Sequence, residues 1–197
     1  MRPLKHNFTV IDTELTGLRI EENGDRIVSL GGSRMANNPK QDITREWFFN
    51  PGKDSTPDAL AVHGLTTEFL SQQRTFLQQK SDVALFLTNA KIVVHCHYRP
   101  SDDKSVDELA LNAEFNRVGH PDISHDRFVN LKKIARQISP NANSLNDMLD
   151  HYGINRKSRD IFHGALDDTK LTAKLFRAYL NDTTPALKKI LKKMDLT

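Results

Sequence analysis

At Pro51-Gly52 the spacing of apolar residues changes from a period of two to a period of 3.6, and this change restricts the fold more than any other feature of the chain. Before it, Phe8–Ile11 (FTVI), Arg26–Met35 and Thr44–Asn50 (TREWFFN) read as strands. Short turns join them, one centred on Asn23-Gly24, and three strands so joined predict an antiparallel meander. After it, Pro57–Val62 and Thr66–Leu70 predict short helices around His63-Gly64, and Ser81 is a fitting N-cap for a helix running to about Asn89. Further helices are predicted over Ser105–Val118, Leu131–Ile138, Ser144–His151, Ala165–Leu180 and Pro185–Met194. One late strand, Lys91–His95 (KIVVH), stands among them. Strands first, then helices with a single strand between, predict an α/β domain with a central mixed sheet flanked by helices.

A chain of 197 residues with 38% hydrophobic and 27% charged residues can bury a core without disulfides or structural metal. Cys96 is the only cysteine, which rules out an intrachain disulfide and a thiolate zinc cluster. That usage, with no signal-like N-terminus and no run of 18 apolar residues, predicts a cytoplasmic protein with no membrane partner. A net charge of +3 is compatible with a polyanionic ligand. The expected division is a domain over 1–182 and a basic amphipathic helix over 183–197, packed on the domain or extending it, with Leu187, Ile190 and Leu191 as its docking side. Cys96–Lys104 (CHYRPSDDK) reads as a surface loop. Trp47 reads as core.

Two segments carry candidate chemistry. Asp12 and Glu14, two residues apart on a strand, share one face. Two acids so close repel unless a cation joins them, and hard divalent ions take such oxygen ligands. Taken alone they could equally be a solvated strand edge. His163 and Asp168 flank the start of a helix and can reach one pocket from successive turns. Taken alone, that pair could equally be an ordinary capping arrangement, since a helix N-terminus favours acids.

Together the segments resemble a known family. Val10–Leu18 (VIDTELTGL) resembles the first motif, Asp-x-Glu-x-Thr-Gly, of the DEDDh 3′→5′ exonucleases, and His163–Asp168 (HGALDD) resembles their third, His-x-Ala-x-x-Asp. Asn50–Thr66 (NPGKDSTPDALAVHGLT) and Phe128–Ile154 resemble the family's intervening segments, most of all in the proofreading subunits of bacterial replicative polymerases. The likeness runs from about Phe8 to Leu180. The second motif departs from it. The family places His-Asn-x-x-Phe-Asp directly after the fourth strand, whereas here that strand runs into His95-Cys96-His97-Tyr98 with no acid five residues after His95. Counting back from Glu114-Phe115 at the family's spacing gives Asp107 as the second-motif acid, after an insertion of about seven residues, with Asp102 and Asp103 as rivals.

The resemblance implies a ribonuclease H-like fold and two divalent metal ions, Mg²⁺ or Mn²⁺, held by Asp12, Glu14, Asp107 and Asp168. It implies that Asp12 bridges the ions and that His163 is the general base. Leu15 and Thr16 would meet the terminal nucleotide, Thr16 through its N–H or hydroxyl, and Leu18 would press on the last bases. His63, a family feature, reads as structural. The implied substrate is a single-stranded or frayed 3′ end, with DNA expected, and a DNA polymerase is a candidate partner. The alternatives are an exoribonuclease trimming RNA 3′ ends and a degenerate nucleic-acid- or polymerase-binding module with little activity.

Overall fold

The computed structural model describes residues 3–99, 101–139, 141, 144–157 and 164–197. Strand β1 (Phe8–Leu15) is the centre of the sheet, because its apolar residues face both ways. Phe8 and Val10 enter one core cluster, Ile11 and Leu15 the other. Strands β2 (Ile27–Arg34) and β3 (Ile43–Phe48) follow antiparallel, as the meander predicts. On the other side of β1 lie β4 (Lys91–Val94) and β5 (Phe128–Asn130), both parallel to it, in the order β3-β2-β1-β4-β5. The mixed sheet flanked by helices agrees with the expected fold.

Helices α1 (Pro57–His63) and α2 (Thr67–Ser71) sit near the exit of β1. His63 is buried, its Nδ1 accepts the Leu65 N–H at 2.9 Å, and Gly64 closes α1 in the left-handed conformation at φ 68°. Helices α3 (Phe76–Leu87) and α4 (Val106–Arg117) cover one face of the sheet through Phe76, Val83, Phe86, Leu111 and Phe115. Trp47 packs edge-on against Phe86 there and donates to Asp82 at 2.8 Å. The other face is covered by α5 (Leu131–Ile138), α6 (Leu145–His151), α7 (Ala165–Asn181) and α8 (Pro185–Lys193). Helix α8 docks by Leu187 and Leu191, both buried, with Ile190 beside them.

Three local expectations change. The first strand continues past Ile11 to Leu15, so Asp12 and Glu14 lie within it rather than at its exit. Helix α3 begins at Phe76, not after Ser81, because Thr75 and Gln78 form a capping box that fixes the earlier start. Phe128–Asn130 is a strand of three residues where the sequence suggested only the approach to a helix. In the expected loop after β4, Tyr98 and Ser105 form an isolated antiparallel bridge, and Asp103 takes a left-handed φ of 63°.

Candidate active site

Alternation along β1 places Asp12 and Glu14 on the face of Val10, which is the face of α7, and Thr13 on the opposite face with Ile11. The β1–β2 register slips between Glu14 and Leu15, a bulge that turns the strand just beyond the two acids. Asp12 pairs across the sheet with Gly31 of β2. A side chain at Gly31 would put its Cβ 2.2 Å from the Ala165 carbonyl oxygen and 2.6 Å from the Leu166 nitrogen. Glycine there lets the first turn of α7 rest directly on the sheet beside Asp12. Asp168, one turn into α7, is buried. Glu46, the partner of Gly31 on β3, faces the same turn. Burial raises the Glu46 pKa, while the Leu166 N–H and the Ser29 hydroxyl favour its ionised form.

Asp107 arrives from the other face of the sheet, in the first turn of α4. The Thr13 hydroxyl donates to its Oδ1 at 2.5 Å, and its Oδ2 is buried without a hydrogen bond. Burial pushes the Asp107 pKa up, against the Cys96 thiol and the Thr13 hydroxyl, which favour the carboxylate. The Cys96 thiol is itself pushed well up, by burial first and then by the negative charges of Asp107 and Asp12. Cys96 therefore lies within electrostatic reach of acids from both faces. Among the described residues no three His, Cys, Asp or Glu side chains are grouped so as to hold a metal ion. The donors brought to this end of the sheet are carboxylate oxygens, the chemistry hard divalent ions take, and Asp107 Oδ2 is a buried acceptor still to be satisfied. Asp102 and Asp103, the rival acids, are exposed in the loop after β4 and engaged by Arg99 and Lys133. His163 lies outside the described residues.

The loop after Glu14 is framed by a residue the motif reading did not single out. Asp25 is buried; its Oδ2 accepts the Arg19 N–H at 2.8 Å, and its Oδ1 accepts from Lys53 Nζ at 2.8 Å and from the Thr16 hydroxyl at 3.3 Å. Burial would raise the Asp25 pKa, but these bonds and the Lys53 charge outweigh it and hold the group below the usual carboxylate range. Gly17 permits this wrap, since a Cβ there would lie 2.5 Å from Asp25 Oδ2. Thr16, expected to offer its N–H or hydroxyl to a nucleotide, uses both internally: its N–H goes to the Arg26 carbonyl at 2.9 Å, and its hydroxyl also accepts the Arg26 N–H at 3.0 Å. Leu15 points into the core rather than toward a nucleotide, whereas Leu18 is 77% exposed beyond the end of β1. The signal for Asp25 and Lys53 was an acid in the β1–β2 connection and a base just after β3, which spacing alone does not pair.

A cleft of about 700 Å³ opens at the opposite end of the strands, between Asn7, Met35 and Lys91. No helix among the described residues is long and apolar enough to cross a membrane.

Comparison with known proteins gives the same outline. A sequence model described as Exonuclease (RNase_T) matches residues 9–176. The DNA polymerase III subunit epsilon of Rickettsia conorii is 28% identical over 185 residues, covering 92% of this chain and 76% of that protein. Among solved structures, exonuclease I of Methylocaldum szegediense superposes with a TM-score of 0.70 at 14% identity, over 95% of this chain. This chain spans only 43% of that one. An exonuclease X solved in complex with 5′ overhanging duplex DNA superposes with a TM-score of 0.57 at 18% identity, covering 91% of this chain and 95% of that one.

Proposed function

Because the chain belongs to the Exonuclease (RNase_T) family, we propose that it trims single-stranded or frayed DNA 3′ ends with two divalent ions held by Asp12, Glu14, Asp107 and Asp168. It is a metal-dependent 3′→5′ exonuclease acting on nucleic acid. What supports the finer reading is the seating of the first turn of α7 on Gly31, the cross-strand partner of Asp12, with Asp168 buried one turn into that helix.

When bound, Mg²⁺ or Mn²⁺ would lower the pKa of the attacking water and stabilise the leaving 3′ oxygen. Asp12, Glu14 and Asp168 would hold the ion nearer the nucleophile, and Asp107 would turn its free Oδ2 toward the second. His163 would take the proton from the attacking water, a role that suits an unperturbed pKa near 6.5. The exposed Leu18 would press against the terminal bases, on a loop held by Asp25 and Lys53. The names of the relatives make a DNA polymerase a candidate partner, and a cytoplasmic location belongs to the same reading. So does the division into an exonuclease domain over 1–182 with the helix of 183–197 packed on it.

The test is a 5′-labelled single-stranded DNA and an RNA of the same sequence, each incubated with Mg²⁺, Mn²⁺ or excess chelator. Products should shorten from the 3′ end only with metal, and faster on DNA. Full cleavage in chelator would end the metal reading, and faster cleavage of RNA would reverse the assignment of substrate. Binding of both strands with cleavage of neither would make the chain a binding module.

A further inference from the structure

Lys132 is an unusual lysine. It stands on α5 yet is only 4% exposed. Its Nζ lies 3.3 and 3.4 Å from the two ring nitrogens of His97, and among the described residues no carboxylate is in ion-pair contact with it. Asp147 and the Cys96 thiol act on it only at longer range. Burying an ammonium without a counter-charge is costly, so an anionic partner is the expected complement.

Arg136, one helical turn on, is on the same side of α5 and exposed. Its guanidinium also has no carboxylate in contact among the described residues; it donates to the Tyr98 hydroxyl at 3.0 Å and lies 5.3 Å from the centre of that ring. His97 is exposed above Lys132, and the charges of Lys132 and Arg136 both act on it, behind burial, to disfavour its protonation. Its ring can therefore accept from Lys132 rather than repel it. The neighbouring acids are used elsewhere: Asp103 pairs with Lys133, and Asp102 with Arg99. Among the described residues, Lys133 is thus paired with a carboxylate while Lys132 and Arg136 have none in contact.

This cluster flanks the catalytic acids. His97 follows Cys96, whose thiol feels Asp107 and Asp12 on one side and acts on Lys132 on the other. A strand whose 3′ end lies over Asp12 and Glu14 carries further phosphates, which the carboxylates would repel.

We propose that Lys132, Arg136 and His97 form a metal-independent phosphate site that grips a phosphodiester of the bound strand other than the one being cut. The proposal rests on the exonuclease reading for its ligand and on the unpaired cations for its place. Lys132 and Arg136 supply charge-assisted donors, and His97 is the movable cover between Lys132 and solvent.

The test separates this grip from catalysis. Binding of a fluorescent single-stranded oligonucleotide is measured in excess chelator across a salt series, for the parent protein, Lys132→Met, Arg136→Met and the double variant. The double variant should bind about tenfold more weakly, as expected when charge-assisted bonds are removed. The slope of log affinity against log salt should flatten by about 0.7 for each phosphate of a single strand that is no longer neutralised. Lys132→Met should keep or raise the melting temperature, since it removes a buried unpaired charge, and exposed Arg136→Met covers the case in which it does not fold. With Mg²⁺, the variants should lose more kcat/KM on the oligonucleotide than on thymidine 5′-(p-nitrophenyl phosphate), which carries only the cleavable phosphodiester. Unchanged affinity and salt slope in chelator would overturn the proposal, whatever the enzyme does with metal. An equal loss on the ester and the oligonucleotide would overturn it too, by assigning the cluster to the reacting phosphate or to the fold. Failure of the parent protein to cut either substrate would count against the exonuclease reading alone, because the chelator arm would still decide the grip.

Discussion

Gly31→Ala adds one methyl group and tests the seat of α7. The new Cβ would lie 2.2 Å from the Ala165 oxygen, 2.4 Å from its carbonyl carbon and 2.6 Å from the Leu166 nitrogen. All three are backbone atoms, so no rotamer change relieves the clash. Non-bonded carbon atoms are comfortable near 3.5 Å, so the first turn of α7 must withdraw by about 1 Å. A displacement of that size at a catalytic constellation costs about 10²-fold in rate. The overpacking itself costs about 1–3 kcal/mol, which for a chain of this size lowers the melting temperature by roughly 2–12 °C. Gly32→Ala is the control on the opposite face. Its Cβ would meet the Phe86 ring at 2.7 Å, in the core covered by α3, away from Asp12. It should lower the melting temperature while leaving kcat within a few-fold. Both variants are assayed for hydrolysis of 5′-labelled single-stranded DNA below their melting temperatures. Parent-like kcat in Gly31→Ala would refute the idea that this glycine sets Asp168 against β1.

Asp12→Ala should abolish turnover and remove the rise in melting temperature that Mn²⁺ gives the parent protein, whereas His163→Ala should lower kcat by roughly 10²–10⁴-fold and keep that rise; equal loss of the metal response in both would make His163 a ligand. Asp107→Asn should cost orders of magnitude in rate, because a neutral amide balances a cation poorly, while Asp102→Asn and Asp103→Asn, at exposed positions, should each change it by less than about threefold; an inactive Asp103→Asn beside a normal Asp107→Asn would move the second-motif acid to the loop after β4. Asp25 is held below its ordinary pKa, so its contribution to stability is present above the unfolded value of about 3.9 and is lost as pH falls through the folded value. Asp25→Asn should therefore melt below the parent at pH 7, with the gap closing as pH drops below about 4; a gap that stays constant to pH 3 would contradict the ion-pair account.

Much of the fold was legible because hydrophobic period reports burial directly: β1 to β4 and most helices follow from it. β5 was not, because three residues are too few to show a period and Phe128-Val129-Asn130 runs straight into the helical pattern of α5. The start of α3 was missed because Thr75 and Gln78 announce it only as a reciprocal pair, while Ser81 looked like a cap on its own. In the site, the common face of Asp12 and Glu14 was readable from strand alternation. Gly31 was not, since its value lies in the distant backbone of Ala165 that comes against it. Asp25 with Lys53 and Lys132 with His97 were invisible for the same reason. A charged residue reads as solvated until the fold shows what covers it.

The placement of β1 also governs the order in which the protein can be built. It is synthesised before the other strands of the sheet, and β2 and β3 can close against it early through local turns. Its other edge must wait for β4, where Phe8 meets Lys91 only after the intervening crossover has been made. Closing so long a loop makes such parallel pairing slow, and until then one edge of the central strand stays open to wrong partners. Asp168 comes later still, on α7. A nascent chain therefore carries Asp12 and Glu14 long before α7 brings Asp168 to the sheet; on the proposed reading, the growing polypeptide would be catalytically silent until nearly the whole domain has emerged from the ribosome.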